Sequence, residues 1–287
     1  MDVVAAQRLA GEHLRDALPQ RWQHTQQVAE TAAALAGDLG LTDDVVSAAW
    51  LHDLGYAPTV TDTGFHPLDG ARFLQRNGWP DTVTGLVAHH SLADVEARRR
   101  GHAEALAHFP DVAGPDRDAM WMADATTGPA GQRLTVGERV LEVVDRYGHA
   151  HVVSQCMVTI ALPLVLATQR TEQRLDGRSA SADVSLRDVA PLVPGVMDLL
   201  VDWDPEGLMG FTDVPHDEYD LEATTFSALM RAGYRMDAST VVAVWEGWFG
   251  PSSVMTQSKD AEWIRALASR LNSVPLPAGS PDRADHS

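Results

Sequence analysis

The chain has 287 residues, 45% hydrophobic and 22% charged, which is the make-up of an ordinary folded protein of one large domain or two smaller ones. A net charge of −18 argues against general binding to nucleic acid, whose phosphates need a basic surface. It leaves open a small anionic ligand, because a metal and a few arginines can reverse the local field.

Other features of composition narrow the setting. Cys156 is the single cysteine, so no intrachain disulfide forms, and Lys259 is the single lysine. No lysine in the first 258 residues is therefore available as a catalytic acid or base. No apolar stretch is expected to reach the roughly 18 residues that cross a bilayer. The opening MDVVAAQRLAGEHLRDAL lacks a basic segment followed by an apolar core, so no secretory signal is expected. A cytoplasmic location and no membrane partner are the corresponding expectations.

The pattern is helical nearly throughout. Residues 2–17 read as one amphipathic helix that stops near Pro19. Arg21 to Leu39 form a second, with Val28, Ala32, Leu35 and Leu39 at helical spacing and Gly40 as its stop. Thr42-Asp43-Asp44 caps a third, which runs through Val45, Val46, Ala49 and Trp50. Residues 56–65 read as a loop. Helices are then expected over 66–77, 81–91, 93–107, 116–125, 136–147 and 150–174. A polar, small-residue stretch at 175–190 reads as a linker. Shorter helices follow at 221–232 and 237–248, then one at 258–272. Period-two alternation is never sustained, so the fold class is all-α. We divide the chain into a first domain, 1–185, a small helical domain, 186–275, and a disordered tail, 276–287.

His52-Asp53 closes the apolar run Ala48-Ala49-Trp50-Leu51. Burying such a pair without partners is costly, and a metal ion removes the cost for both. Further candidate ligands are His24, on the Val28 side of its helix, His66, His89, His90 and Asp124. Asp124 is a carboxylate within the apolar stretch Trp121-Met122-Ala123 and calls for a charge partner. Neighbouring helical residues point about 100° apart. His52 and Asp53 therefore meet one ion only at a helix end, or where a second ion lies beside the first. Imidazole and carboxylate without thiolate suit Fe, Mn, Co or Zn rather than Ca or Mg. Five to seven ligands exceed the needs of one tetrahedral ion. Two ions about 3.5–4 Å apart, bridged by Asp53 and by a hydroxide nucleophile, are the natural alternative.

This pattern resembles the HD superfamily of metal-dependent phosphohydrolases, an all-helical fold. His24, His52-Asp53 and Asp124 match its minimal pattern, and apolar-apolar-His-Asp-Leu-Gly matches its core signature. The resemblance covers roughly residues 10–175. His66-Pro67-Leu68-Asp69-Gly70-Ala71 and Val87-Ala88-His89-His90-Ser91 resemble segments that add ligands in the dinuclear members, with His89, His90 or both as the ligand. The implied cofactor is a divalent transition metal, two ions of Fe or Mn, with Co, Ni or Zn as alternatives.

Many hydrolytic members carry a lysine shortly after His-Asp. Here Gly55 is followed by Tyr56. Arg98, in the Arg98-Arg99-Arg100 triplet, and Arg133 are the candidates to contact phosphate in its place. Ser91-Leu92 stands where the cyclic-di-GMP group has its own motif, which argues against that substrate. The resemblance implies hydrolysis of a phosphoester or phosphoanhydride in a small anionic nucleotide-like molecule, with Asp53 central to catalysis. The alternatives are a mixed-valent di-iron oxygenase cleaving a C–C or C–P bond, and a non-catalytic metal-dependent sensor. The second domain resembles, more faintly, a small helical family of unknown function. Its acidic segments are Trp203 to Gly207 and Asp217 to Asp220. Packing, a cation site, a partner or a homodimer are its readings.

Overall fold

Helix boundaries follow local chemistry in the computed structural model, which describes residues 2–148, 151–177, 192–209, 219–231, 234–249 and 253–276. Helix α1 (Val3–Leu14) begins where the Asp2 carboxylate accepts the Ala5 amide at 2.8 Å, a side-chain N-cap. Pro19 is the first residue of α2 (Pro19–Leu39), where its missing N–H costs nothing. Gly40 ends α2 in the left-handed conformation at φ 64°. Thr42 stands at the N-cap of α3 (Asp43–Leu51), but its hydroxyl donates to Asp116 at 2.7 Å instead of capping the helix.

A single 3₁₀ turn, Leu54–Tyr56, leads from α3 into the loop before α4 (His66–Arg76). Helix α5 (Asp81–Ala88) ends three residues before the expected limit of residue 91. Ser91 and Leu92 adopt left-handed backbone angles there, φ 47° and 54°. The helix expected over 93–107 is two, α6 (Asp94–Arg100) and α7 (Ala103–Leu106), broken at Gly101 with φ 74°. Then come α8 (Pro115–Ala125), α9 (Val136–Tyr147) and α10 (Val152–Leu175). Among the described residues the only β pairing is an isolated bridge between Thr127 and Arg133. The fold is all-α.

Contacts divide the chain into two units. The first comprises the described residues of Met1–Arg139 and Pro163–Ala182, and the second those of Val140–Leu162 and Asp183–Ser287. The chain thus changes unit at 139/140 and 162/163 as well as near residue 182. The linker expected over 175–190 lies mostly outside the described residues, and so does the expected tail beyond Leu276.

In the first unit α3 packs along α1, α2 and α5, while α8 packs on α2 and α3. Its core includes Val28, Ala32, Val45, Ala49, Leu51, Leu68, Leu86, Met120 and Ala123. Asp118 is buried, and Arg170 and Arg174 both donate to its carboxylate.

The second unit contains α11 (Val196–Trp203), α12 (Asp220–Arg231), α13 (Ala238–Phe249), α14 (Val254–Ser258) and α15 (Ala261–Ser273). The expected 258–272 helix is thus preceded by a short one, and Asp260 caps α15 through the Trp263 amide. Tyr219, Phe226, Tyr234 and Trp245 lie in its core. The acidic groups of the Trp203–Gly207 segment are used internally. Asp204 accepts from the Leu208 and Met209 amides and the Tyr219 hydroxyl. Glu206 accepts from Trp245 Nε1 and from the amides of Val254 and Met255. Asp217 and Glu218 lie outside the described residues.

One expectation is corrected. Helix α10 is long and apolar enough, by length and composition, to cross a bilayer. Two of its polar side chains nonetheless make bonds inside the protein: Thr159 donates to the Ala243 carbonyl and Arg170 pairs with Asp118.

Candidate metal centre

Five elements of the first unit bring six side chains together. His24 comes from the first turns of α2, one turn after Arg21. His52 is the C-cap of α3 and Asp53 the next residue. His66 opens α4, His90 sits in the turn after α5, and Asp124 lies in the last turn of α8. Adjacent residues that would diverge within a helix converge here, because the helix ends between them.

Gly55 makes the close approach of the 3₁₀ turn to α4 possible. A Cβ on Gly55 would lie 2.0 Å from the His66 carbonyl oxygen and 2.8 Å from the Gly70 nitrogen. Asp69, fully buried, accepts from the amides of Asp62, Thr63 and Gly64 and so closes the loop that delivers His66.

The atoms fall into two trios that share Asp53. One is His24, His52 and Asp53, the other Asp53, His66 and His90. In each, one ligand atom per residue lies within 4.8 Å of the others. Asp53 Oδ2 is 3.4 Å from His52 Nε2 and 3.8 Å from His24 Nε2, while Oδ1 is 3.6 Å from His66 Nε2. Asp124 Oδ1 adds to the first trio, 3.2 Å from His24 Nε2 and 3.8 Å from His52 Nε2. Its other oxygen accepts the Ser91 hydroxyl at 2.5 Å. The left-handed backbone at Ser91, worth about 1–3 kcal/mol of strain for a non-glycine residue, aims that hydroxyl.

The donor chemistry fits a cation. His24, His52 and His90 each place Nδ1 against a backbone carbonyl, of Gly128, Ala49 and Val87, at 3.1, 2.8 and 2.6 Å. A carbonyl only accepts, so each Nδ1 carries the hydrogen and Nε2 is left as the ligand atom, the arrangement of metal-binding histidines. Nε2 of His24 and Nε2 of His52 then face each other at 3.4 Å, and those of His66 and His90 at 3.1 Å. For His24 and His52 two bare nitrogen lone pairs at such a distance repel unless a positive charge lies between them.

Protonation tells the same story. Burial works against charge on Asp53, Asp124, His52, His66 and His90. At Asp53 the charges of Arg21 and His52 overcome it and hold the carboxyl well below the usual carboxylate range. At Asp124 the His24 hydrogen bond and the His52 charge do the same. Burial would lower His52, but Asp53 and then Asp124 outweigh it and raise it to about 9. Burial and the neighbouring His90 push His66 well below the ordinary histidine value. Burial and His52 lower His90. Metal-free, the cluster keeps a proton at His52 where a cation would stand.

His89 is not brought into this arrangement. Its Nε2 lies 3.0 Å from the Phe109 carbonyl and its Nδ1 3.2 Å from Asp94. Arg98 is exposed on α6, where its charge acts on Asp94, and Arg133 is exposed at the Thr127 bridge. Neither touches the cluster among the described contacts. The guanidinium that does is Arg21, whose Nη1 donates to Asp53 Oδ2 at 2.9 Å. Sequence reasoning missed it, although its position three residues before His24 puts both on one helix face. Ser91 and the contacts of Tyr56 were missed as well.

Residues 21–148 match the family model described as the HD domain. The chain carries an HD domain. All six clustered side chains and Arg21 lie within the matched span. The match places this part of the chain among metal-dependent hydrolases, a superfamily made up in general of phosphohydrolases. No curated protein and no solved structure matched the chain.

Proposed function

We propose that the HD domain is a two-metal phosphohydrolase acting on a phosphoester or phosphoanhydride bond in a small, anionic, nucleotide-like molecule, with Fe or Mn as the metal. The observation that carries this reading is the division of Asp53 between two trios, one carboxylate oxygen toward each. A single-ion centre has no use for the second trio. When bound, a pair of divalent ions supplies an activated water nucleophile at neutral pH and neutralises charge on the phosphoryl oxygens.

The protein's part is to hold and orient. His24, His52 and Asp124 define one position, His66 and His90 the other, and Asp53 joins them. Arg21 adds a positive charge at the rim of the site, on a chain whose net charge is −18. That charge serves the approach of an anionic substrate.

The test is phosphate release by protein loaded with Mn or Fe, against nucleotides, dinucleoside polyphosphates and simple phosphoesters, with oxygen uptake followed in parallel. Phosphate release that disappears in Asp53→Asn is expected. Oxygen consumption with an organophosphonate or polyol, and no phosphate release from any phosphoester, would overturn the hydrolase reading in favour of an oxygenase.

A further inference from the structure

Three histidines of the cluster are steered by backbone carbonyls. Among the described contacts His66 has no such brace. Its ring lies against Tyr56 instead, centroids 3.9 Å apart and planes 17° from parallel. Arg21 Cζ lies 4.0 Å over the same Tyr56 ring. Two planar groups cannot occupy one face of a ring at that distance, so Tyr56 is sandwiched between the guanidinium and the imidazole. The loop of contacts then closes through Asp53: Arg21 donates to Oδ2, and His66 Nε2 faces Oδ1 at 3.6 Å.

We propose that Tyr56 is a positioning residue for the second trio, a flat spacer that sets the plane of His66. This inference rests on the two-metal reading above. The stack brings a cation–π contact to one face of Tyr56 and an aromatic contact to the other. Its effect falls on one half of the centre, because His24 and His52 take their orientation from the backbone. The phenol is not what matters for this role; the flat ring is. Tyr56 is 36% exposed, so replacing it removes little of the core.

The experiment is a metal titration of chelator-stripped protein with Mn²⁺, read by competition with a chromophoric chelator, beside the melting temperature of the metal-free protein. The wild type is expected to bind two ions, and Tyr56→Phe to match it. Tyr56→Ala is expected to keep the first affinity and lose about 10–100-fold in the second, the usual effect of removing a residue that orients a ligand. Tyr56→Leu, which fills the volume without a flat face, is expected to behave as the alanine variant does, and it carries the comparison if alanine prevents folding. Unchanged affinities in both variants would overturn the inference and leave the two-metal reading standing. Equal weakening of both ions with a lowered metal-free melting temperature would overturn it too, as a merely structural role. A wild type that binds one ion would overturn the two-metal reading itself, and this inference with it.

Discussion

The two halves of the metal centre share a carboxylate but are built differently. The His24–His52 half is fully buried, draws Asp124 to itself, and rests on helices α2, α3 and α8, which pack on one another. The His66–His90 half lies nearer the surface, with the His66 side chain 16% exposed, and depends on a 3₁₀ turn, a capped loop and a stacked tyrosine. The first half is thus held by the hydrophobic core, and the second by local contacts that a single substitution can loosen. Four experiments break or sharpen that contrast.

The largest effect is expected at the residue common to both. Asp53→Asn keeps the shape but removes the charge that both trios use. Metal content should fall from two ions per chain to near zero by elemental analysis, with affinity lowered beyond the roughly 10–100-fold typical of an outer residue. Retention of one ion would show that the halves are independent.

Next come the single histidines. His24→Ala should remove the tighter ion and cost stability as well, because it leaves Asp124 buried with a partner missing. His66→Ala should lower the metal ratio from two to one with little change in metal-free melting temperature. The opposite order of affinities would reverse the assignment of the core-built half as the stronger.

The third effect is in pH. His52 is raised to about 9 by Asp53 and Asp124 against the pull of burial. Metal must displace its proton, so affinity in the first half should rise about tenfold per pH unit up to that value and then level off. Without metal, the raised value contributes stability that is complete below the ordinary histidine value of 6.5 and is lost as pH rises toward 9. Stripped protein should therefore melt at lower temperature as pH climbs through this window, while loaded protein should not. A flat melting temperature in stripped protein would contradict the charge assignment.

The smallest effect on metal is expected at His89, which belongs to neither half. His89→Ala should leave the metal ratio at two and cost about 1–3 kcal/mol through the lost bonds to Phe109 and Asp94. A lost ion would return His89 to the ligand set.

Much of this site is legible in the chain. His52-Asp53 after an apolar run, and Asp124 within another, announce buried charge that needs a cation. The all-α class follows from the helical periodicity of the apolar residues. Helix interiors are legible for the same reason, since burial repeats every turn. Their ends are less so: Ser91 takes a left-handed conformation that no propensity favours, because its hydroxyl reaches Asp124. Gly55 decides how closely the 3₁₀ turn after α3 meets α4, which composition does not reveal.

What the sequence by itself determined is the set of residue types, and with them the chemistry: imidazoles and carboxylates, no thiolate and no lysine. Tertiary structure alone decided the arrangement. It turned His90 inward and His89 toward Asp94, brought Arg21 rather than Arg98 or Arg133 to Asp53, and placed Tyr56 between Arg21 and His66. The physical reason is that ligand type is a property of one side chain. Which nitrogen or oxygen faces which depends on helix ends and packing distances, set by residues far apart in the chain.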